Sequence, residues 1–408
     1  MISVTITGPL SPADIVDLLS QSDAVVAQGI PGYRGVPTTA LVRALLSMGV
    51  GVEVVTCATE VEGRLELQGP SLRVLIGPRR SRARELAFDL FRQERHALSG
   101  LLKETEAEVI HAHWTYEFAW AALDTGRPTL VTAHDAPLTI WRHTRDAYRA
   151  MRAVMAYIVR ARIQHLTAVS PYLASCWRRE MLYRQPITVI PNIATLAGVS
   201  SIVRSCPSRP VGHGSAANIV DVSDGGKLKN IRALVDAHAL MRSQGREVTL
   251  ELVGPGLGPG DELASYAHTL GCADSVHFRG VLRGDQVTEI LAGATLFVHT
   301  SLEESFGVSV VEAMVAGVPV IAGVRSGAVP WVLADGDAGL LVDVRKPSEL
   351  AAGIMRLLDD KDYADRLALR GQEHALSAFD SRTVASAYLD AYDTVGRGRR
   401  SRRLVEHA

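Results

Sequence analysis

The sequence predicts an α/β protein built from two doubly wound, Rossmann-like domains. Short apolar runs alternate with longer helical patterns along the whole chain, which is typical of parallel sheets covered by helices on both faces. With 408 residues, the chain is too long for one ordinary core, so two domains are expected. A Gly-, Ser- and Pro-rich stretch near residues 193–213 separates two series of strand candidates, and we interpret it as a linker.

Each series of apolar runs supplies one predicted sheet. The first series gives strands at 2–7, 23–27, 52–57, 108–112, 129–133, 166–169 and 187–190. The second gives strands at 217–222, 248–253, 276–279, 295–299, 318–322 and 339–342. Helical patterns fall between them, at 37–49, 145–164, 230–243, 285–293, 306–316 and 348–359. Ligands of open sheets bind beyond the carboxyl ends of the strands, so we expect functional residues to follow strands and to line one cleft.

The composition favours a globular enzyme and gives no argument for nucleic-acid binding. The formal net charge is -1, so there is no overall positive excess to attract a polyanion. The four cysteines form no C-x-x-C pair, which argues against a zinc knuckle or a redox motif. The first residues lack the features of a signal peptide, and no apolar run approaches the roughly 20 residues of a spanning helix. We therefore expect a cytoplasmic protein.

Two Arg-rich segments stand apart from this balanced composition. One opens a helical pattern that carries Leu86 and Phe88, and the other forms the C-terminal tail. Their arginines are Arg79, Arg80, Arg82 and Arg84, and then Arg397, Arg399, Arg400, Arg402 and Arg403. Either segment could contact anionic lipid head groups at the inner face of the plasma membrane. A solvated helix face and a disordered end explain them as well.

The segment from Ser301 to Met314 carries the strongest chemical signal. It follows the predicted strand 295–299, and its central turn leads into a helix whose first backbone N–H groups are exposed. Such a turn suits a phosphate or another negatively charged group. Glu304 precedes the helix and Glu312 lies two turns later. Two carboxylates beside such a turn can accept hydrogen bonds from ligand hydroxyls without a metal.

This segment closely resembles the signature of family-4 glycosyltransferases of the GT-B fold. Glu304, seven residues and Glu312 are followed by Ala-Met, by Gly-Val-Pro-Val-Ile-Ala, and later by Ser326-Gly327 and an Asp-Gly-Asp-Ala-Gly run. The resemblance implies that Glu304 contacts the donor sugar near the reacting face and that Glu312 binds the donor ribose. The other donor-binding positions that it implies in this region are Gly254, Val281, Ser305, Phe306, Gly307 and Val308.

The stretch Gly225-Gly226-Lys227-Leu228-Lys229-Asn230 resembles the family's lysine element. Only five lysines occur in the chain, which makes this close pair conspicuous. The resemblance implies that Lys229 meets the negative charge of the leaving diphosphate. Many family members carry an Arg six residues earlier, where this chain has Ser223. Lys227, Arg279 or Arg283 could replace that second cation, and a solvated loop position explains Lys227 equally well.

Three elements of the first series also match the family. Gly35, in a Gly/Pro loop before a helix, resembles the loop near the donor diphosphate. His134 resembles the histidine that contacts the donor sugar and helps the transition state. His113, Trp114 and Asp135 are assigned to the acceptor side. His111 and His113 share one face of a strand and suggest a metal pair, but no third ligand stands at an obvious spacing, and His111 could simply be buried.

The resemblance implies a domain plan and a function. It places an acceptor-side domain at 1–196, a donor-binding domain at 197–380, a terminal helix at 381–396 that packs back on the first domain, and a basic tail at 397–408. The predicted activity is metal-independent, retaining transfer of a hexose-type sugar from a UDP- or GDP-sugar, with no cofactor. The acceptor is a saccharide, a lipid-linked molecule or a small metabolite, with surface polysaccharide assembly favoured. A nucleotide-sugar epimerase and a non-catalytic nucleotide-sugar binding protein remain alternatives.

Overall fold

The computed structural model describes residues 3–194 and 217–406, with side chains described as far as residue 397. The chain divides into two compact units. Unit 1 comprises Met1–Ile193 and Ser381–Ala408, and unit 2 comprises Ala194–Asp380. Most of the predicted linker at 193–213 lies outside the described residues.

Unit 1 is built on an eight-stranded sheet with the strand order β3-β4-β2-β1-β5-β6-β7-β8. All neighbours pair in parallel except β3, which runs antiparallel to β4 at the edge. The strands are β1 Ser3–Thr7, β2 Gly51–Ala58, β3 Leu65–Gln68, β4 Leu72–Pro78, β5 Ile110–His113, β6 Thr129–Ala133, β7 His165–Ala168 and β8 Ile187–Val189. Strands β5 and β6 are buried along their whole length, as expected for a parallel sheet covered on both faces.

The helices of unit 1 cover this sheet. They are Gln21–Gln28, Val36–Ser47, Ala83–Phe88, Arg92–Lys103, Glu117–Leu123, Pro137–Thr144, Ala147–Arg160, Pro171–Arg179 and Ser381–Glu406, with a 3-10 turn at Pro12–Leu18. The last of them, Ser381–Glu406, packs its Val384, Tyr388 and Tyr392 into the core of this unit. Burial of these large side chains against β1 and its neighbours fixes the C-terminal helix to the first half of the chain.

Unit 2 has a six-stranded, fully parallel sheet with the order β11-β10-β9-β12-β13-β14. Its strands are β9 Ala217–Val222, β10 Val248–Val253, β11 Val276–Gly280, β12 Leu296–His299, β13 Val320–Gly323 and β14 Leu340–Val342. Its helices are Ile231–Ser243, Glu262–Thr269, Gly284–Gly293, Val308–Val315, Val329–Val332, Pro347–Asp359 and Lys361–Ala378, with 3-10 turns at Lys227–Lys229 and Ala334–Gly336. The predicted fold class, two doubly wound Rossmann-like sheets, is confirmed.

The structure differs from the predicted elements at the rim of unit 1. The predicted strand at 23–27 is wrong, because these residues form the helix Gln21–Gln28, capped by the Ser20 side chain. The apolar run Ala24–Ala27 is short, and Val25 and Val26 lie on the exposed side. Strands β3 and β4 were not predicted at all. The helix that the arginines were expected to open is confined to Ala83–Phe88, and the C-terminal helix continues to Glu406 instead of ending at 396. No described helix is both long enough and apolar enough to cross a membrane.

Candidate active site

The carboxylate of Glu304 is the centre of a polar cluster in unit 2. It lies in the loop between β12 and the helix Val308–Val315. Three side chains converge on its Oε1 atom: Lys229 Nζ at 2.5 Å, Ser301 Oγ at 2.9 Å and His299 Nε2 at 3.1 Å. Lys229 and Glu304 are therefore an ion pair between residues 75 positions apart, and the fold brings together two side chains that the sequence singled out separately.

This ion pair keeps its charges although it is largely buried. Burial alone would raise the pKa of Glu304, but Lys229 and His299 outweigh it and hold that pKa far below its usual value. Burial likewise works against the charged form of Lys229, and Glu304 reverses the effect and raises the lysine pKa. A buried charge persists only when an opposite charge compensates its desolvation. The pair is thus fully ionised around neutral pH.

The backbone around Glu304 is fixed by its neighbours. The Glu304 carbonyl accepts a hydrogen bond of 2.8 Å from the backbone N–H of Ala328. Gly327 has a φ of +60°, and a Cβ at that position would lie 2.3 Å from the same carbonyl oxygen. Ser326 Oγ donates to the carbonyl of Ser301 at 2.5 Å. Ser326 and Gly327 therefore hold the loop that presents Glu304, and a larger residue than glycine would displace it.

The turn after Glu304 contains the buried side chain of Phe306 and leads into the first backbone N–H groups of the helix Val308–Val315. Phe306 is buried and packs against Trp331 and Phe379, so its side chain belongs to the core. Gly307, with a φ of +95°, then starts the helix Val308–Val315, and no side chain caps it. The unpaired N–H groups of the first turn and the helix dipole together suit an anion. The left-handed glycine delays the helix to Val308, two residues later than predicted.

Glu312 differs from Glu304 in having no compensating partner. It lies in the helix Val308–Val315 with a partly accessible side chain. Within the described residues, its carboxylate takes part in no hydrogen bond or ion pair. Burial raises its pKa to about 8. A poorly solvated carboxyl group without protein partners is suited to accept hydrogen bonds from ligand hydroxyls, which would restore its ionised form.

A second buried acid, Asp221, extends the Glu304 cluster into the sheet. Asp221 lies in β9 and is completely buried, and burial raises its pKa to about 6. Ser223 Oγ donates to its Oδ1 at 2.5 Å, so the residue at the position of the missing arginine turns inward to the acid. The Oδ2 atom lies 3.9 Å from Nδ1 of His299, and neither atom has a hydrogen-bond partner in the described part of the chain.

His299 and Asp221 were missed by the sequence analysis. Both are buried polar residues in otherwise apolar strands, β12 and β9, which are neighbours in the sheet. That interruption of an apolar run was the available signal. When Nε2–H of a neutral His299 donates to Glu304, its Nδ1 is an acceptor that faces another acceptor.

The glycine turns of unit 2 allow two loops to touch. A Cβ on Gly254, whose φ is +140°, would lie 1.7 Å from the carbonyl oxygen of Ser223. A Cβ on Gly225 would lie 2.5 Å from the carbonyl oxygen of Gly256. The glycines at these positions are therefore required by close backbone contact, and they keep the lysine-bearing loop against the turn after β10. For Gly254 this contact is a sufficient structural explanation.

The cations that could replace the missing arginine differ in whether they have a carboxylate partner. Arg279 is paired with Glu251, and Arg283 with Asp285, in both cases near the surface. Lys227 is exposed, and within the described residues no hydrogen bond or ion pair holds its ammonium group. Lys227 is thus a loop cation with no carboxylate partner among the described residues, whereas Lys229 is paired with Glu304. Val281 is a largely exposed side chain next to Arg283.

In unit 1, two predicted site histidines form a neutral pair. Nδ1 of His113 lies 2.8 Å from Nε2 of His134, and the rings stack with centroids 5.0 Å apart. Burial lowers the pKa of His134 to about 3 and holds that of His113 far below its usual value. No carboxylate offsets this burial. One ring therefore donates its single proton to the other, and neither ring is charged at neutral pH.

His111 is a structural residue of the core. Its Nδ1 lies 2.8 Å from the hydroxyl of Tyr392 and its Nε2 lies 2.7 Å from that of Thr132. Both ring nitrogens are thereby satisfied, and one of the partners belongs to the C-terminal helix. Across residues 3–194 and 217–397, no three His, Cys, Asp or Glu side chains are grouped so that they could hold a metal ion. Hydrogen bonds to neighbouring side chains thus account for the burial of His111 and His113.

Trp114 and Asp135 follow β5 and β6, the strands that carry these histidines. Trp114 has a φ of +68°, and its ring meets Tyr33 edge-on at 5.2 Å. Asp135 accepts hydrogen bonds of 2.9 and 2.8 Å from the hydroxyl of Tyr116. Burial raises the pKa of Asp135 against the opposing influence of Arg152. Asp135 is thus held by Tyr116, and the half-buried Trp114 sits in a strained conformation that the surrounding packing maintains.

Gly35 precedes the helix Val36–Ser47 in unit 1. A Cβ at this position would lie 2.0 Å from the carbonyl oxygen of Pro9, so only glycine fits. The loop of Gly35 therefore packs directly on the loop that follows β1. Tyr33, two residues earlier, carries the Arg79 guanidinium 4.5 Å from its ring centre. Arg79, which belongs to the first Arg-rich segment, thus forms a cation–π contact with Tyr33.

Two Rossmann-like units of this kind define the GT-B fold, and solved structures support that class. The chain is similar to sucrose-phosphate synthase from Thermosynechococcus elongatus, with a TM-score of 0.75 over 98% of this chain and 100% of the other, at 20% identity. It is also similar to Anabaena Alr3699/HepE, solved in complex with UDP-glucose, with a TM-score of 0.65 over 97% of this chain and 100% of that one, at 18% identity. At these identities the likeness concerns the fold.

Two family models match the sequence and identify the family. Residues 217–374 match Glycosyl transferases group 1, and residues 36–196 match Glycosyltransferase Family 4. The chain belongs to this glycosyltransferase family, as the motifs predicted. Among curated proteins it is similar to the MMP alpha-(1->4)-mannosyltransferase of Mycolicibacterium hassiacum, with 34% identity over 167 residues. That match covers 41% of this chain and 40% of the relative, so the chain spans about two-fifths of the relative's length.

Proposed function

We propose that this protein is a retaining glycosyltransferase that transfers a hexose-type sugar from a UDP- or GDP-sugar to a hydroxyl acceptor. The ion pair of Lys229 with Glu304, beside the uncapped helix start at Gly307, is the observation that carries the proposal. The loop after β9 contributes a fixed cation, and the loop after β12 contributes a fixed carboxylate and backbone donors. Family membership and the relatives' names support the same conclusion, since the matched proteins include an MMP alpha-(1->4)-mannosyltransferase and a D-inositol 3-phosphate glycosyltransferase.

The charges in unit 2 suit a nucleotide-diphosphate sugar. Lys229 and the first N–H groups of the helix Val308–Val315 would hold the diphosphate, since fixed positive charge stabilises a leaving group without reorganising during the reaction. Lys227 would add a second, mobile cation. Glu304 keeps one oxygen for Lys229 and directs the other towards the sugar. Glu312, which has no protein partner, would accept hydrogen bonds from the ribose hydroxyls. The assignment of further positions to donor binding stays a prediction. These positions are Gly35, Gly254, Val281, Ser305, Phe306, Gly307 and Val308.

The proposed chemical step is a front-face displacement. The acceptor oxygen forms a bond to the anomeric carbon on the same face from which the phosphate oxygen leaves. The bond between the anomeric carbon and that oxygen breaks, and its electron pair stays on the diphosphate. The acceptor proton passes to the departing phosphate oxygen, so charge and atoms balance without another base. Lys229 stabilises the developing negative charge, and the anomeric configuration is retained.

The unit 1 residues would contribute hydrogen bonds without charge. His134 and His113 are neutral, so His134 offers a sugar or acceptor hydroxyl a polar partner instead of an imidazolium. Trp114 offers an apolar ring of the kind that suits the face of a sugar or another acceptor. We propose that these residues, with Asp135, select the acceptor. The acceptor is a saccharide, a lipid-linked molecule or a small metabolite, with cytoplasmic assembly of surface polysaccharide the favoured context.

The proposal is tested by donor screening followed by product analysis. The full chain is incubated with UDP- and GDP-sugars and an acceptor panel, and products are identified by mass spectrometry and anomeric NMR. The variants are Lys229→Met and Glu304→Gln. Lys346→Met and Glu349→Gln are matched controls, because that pair is also ion-paired, at 2.6 Å, but on the surface. Transfer with retention that both site variants lose and both controls keep supports the proposal. Epimerisation, or tight donor binding without transfer, would overturn it.

A further inference from the structure

His299 is a buried histidine in an otherwise apolar strand. The other residues of β12 are Leu296, Phe297 and Val298, and all four side chains are buried. A polar ring in such a strand costs free energy unless its nitrogens are hydrogen-bonded. The presence of an imidazole at this position therefore has to be explained by what the ring contacts.

Within the described residues, the ring of His299 makes one hydrogen bond, and its partner is Glu304. Nε2 of the ring lies 3.1 Å from Oε1 of the carboxylate. Because an ionised carboxylate only accepts, Nε2 carries the donated hydrogen. Nδ1 lies 3.9 Å from Oδ2 of Asp221, which is beyond hydrogen-bond distance. In His111, by contrast, hydroxyl groups satisfy both ring nitrogens. The ring of His299 thus serves the carboxylate of Glu304, while its own hydrogen bonding stays incomplete.

The donors that share Oε1 of Glu304 come from different depths. Lys229 Nζ lies 2.5 Å and Ser301 Oγ lies 2.9 Å from this atom. The side chain of Lys229 is 22% exposed and that of Glu304 is 14% exposed, whereas that of His299 is only 2% exposed. Lys229 therefore reaches the carboxylate from the accessible side, and His299 reaches it from the interior. A ligand can contact the ammonium group without contacting the imidazole.

Lys229 has two anionic partners to serve. It is paired with Glu304 in the structure, and it is proposed to meet the diphosphate of the donor. A lysine ammonium group has three N–H donors on a flexible stem, so it can turn towards a second anion. Glu304 then loses part of its compensation, which is costly for a buried carboxylate that has no other donor. His299 and Ser301 remain on Oε1 in that state.

We propose that His299 is a positioning residue, which holds the Glu304 carboxylate in place while Lys229 turns to the diphosphate of the donor. The inference rests on the proposed function, since its ligand is a nucleoside diphosphate. It gives His299 no contact with the substrate. Without the imidazole, Lys229 has to stay with Glu304, and the preference of the protein for a diphosphate over a nucleoside falls.

The test compares two amide side chains at position 299. The amide nitrogen of glutamine reaches about as far as Nε2 of histidine, whereas that of asparagine reaches only about as far as Nδ1. His299→Gln therefore keeps a donor for Glu304, and His299→Asn does not. Isothermal titration of UDP and uridine, or of GDP and guanosine, gives the ratio of the two affinities without turnover. We expect His299→Asn to lower this ratio about tenfold, the worth of a hydrogen bond to a charged group, and His299→Gln to keep it within about threefold.

Two further variants separate this effect from a loss of structure. His299→Leu should lower the ratio as His299→Asn does, yet keep the melting temperature close to the native one. A leucine fits the apolar strand, and Lys229 still compensates Glu304 in this variant. His238→Asn is the matched control, because His238 is another fully buried histidine of unit 2, with Nε2 2.9 Å from Ser275 Oγ. It should leave the ratio unchanged.

Equal ratios in His299→Gln and His299→Asn would overturn the proposal, and so would a reduction in His238→Asn as large as that in His299→Asn. A ratio that Lys229→Met abolishes and His299→Asn preserves would contradict this inference alone. A native ratio near one would contradict the proposed diphosphate site, and this inference with it.

Discussion

The polar clusters of the two units respond to burial in opposite ways. In unit 2, Lys229 and Glu304 are buried together, and each holds the other in its charged form. In unit 1, His113 and His134 are buried together without a counter-charge, and both become neutral. Desolvation disfavours the charged form in both units. In unit 2 the opposite charge of the partner outweighs it, and in unit 1 no opposite charge does, so the histidines are neutral.

The difference divides the proposed chemistry between the units. A leaving diphosphate needs fixed positive charge, which unit 2 supplies. Recognition of hydroxyl groups needs hydrogen-bond donors and acceptors but no charge, which neutral imidazoles supply. Substitutions in unit 2 should therefore disturb charge-dependent steps, and substitutions in unit 1 should disturb hydrogen bonding alone.

Removal of the lysine in unit 2 should have the largest effect. Lys229→Met is expected to lower kcat by about 10²–10³-fold, since it removes one preorganised stabilising group. It also leaves the Glu304 carboxylate buried without its ion partner, so Glu304→Gln is combined with it to restore neutrality. Steady-state kinetics with the best donor measures the effect. Recovery of full activity by the double variant would contradict a role for the lysine in the reaction.

Substitution of the histidine in unit 1 should have a smaller effect that does not depend on pH. His134→Asn keeps a polar side chain and is expected to lower kcat/KM by about 10-fold, the worth of one or two hydrogen bonds. Because burial lowers the pKa of His134 to about 3, its titration should contribute no inflection between pH 5 and 8. Rate profiles of both proteins over this range provide the test. An inflection near pH 6.5 that the variant lacks would show that the imidazole becomes charged.

Glu312→Gln should stabilise the protein while it weakens the donor complex. The folded-state pKa of Glu312, about 8, lies above the ordinary value of 4.5. Such an acid binds its proton more tightly when folded, so its contribution to stability is lost as pH rises from 4.5 to 8. The neutral variant should therefore gain about 1–3 kcal/mol of unfolding free energy at pH 8 and little at pH 4.5. Urea denaturation at both pH values measures this difference. An equal gain at both would contradict the raised pKa.

Tyr392→Phe should have the smallest effect, confined to stability. It removes the hydroxyl that is hydrogen-bonded to Nδ1 of the buried His111, at a cost of about 1–2 kcal/mol. Activity at a permissive temperature should be unchanged, because His111 is a core residue of unit 1. Thermal melts and kinetics on one preparation test both halves of this expectation. Altered donor or acceptor KM would assign His111 to the functional site.

Much of the fold followed from the sequence because buried parallel strands have continuous apolar runs. The second series of strands was placed within about two residues for this reason. The strand predicted at 23–27 failed because a short apolar run does not distinguish a strand from a helix. Strand β4 was missed because Arg73 interrupts its apolar run and forms ion pairs with Glu53 and Glu66. Such long-range pairing cannot be seen in a local pattern.

The candidate site was predictable only where its residues follow a motif. Glu304 and Lys229 were identified separately, and only the structure joins them in an ion pair. His299 and Asp221 lie 3.9 Å apart on two neighbouring strands, and the chain order hides this proximity. Ser223 was noted as a missing arginine, and its hydrogen bond to Asp221 could not be inferred. The sequence thus singled out individual residues, whose roles stay predictions, while their charge states depend on neighbours distant in the chain.

Unit 2 is proposed to provide the fixed charge for a diphosphate, and unit 1 is not. Isothermal titration of UDP and uridine, or of GDP and guanosine, into the native protein, Lys229→Met, Lys346→Met and His134→Asn tests it most directly. We predict that the native protein binds the diphosphate at least about tenfold more tightly than the nucleoside. Lys229→Met should abolish that ratio, and Lys346→Met and His134→Asn should preserve it. An unchanged ratio in Lys229→Met, or its loss in His134→Asn, would show that unit 2 does not supply this charge through Lys229.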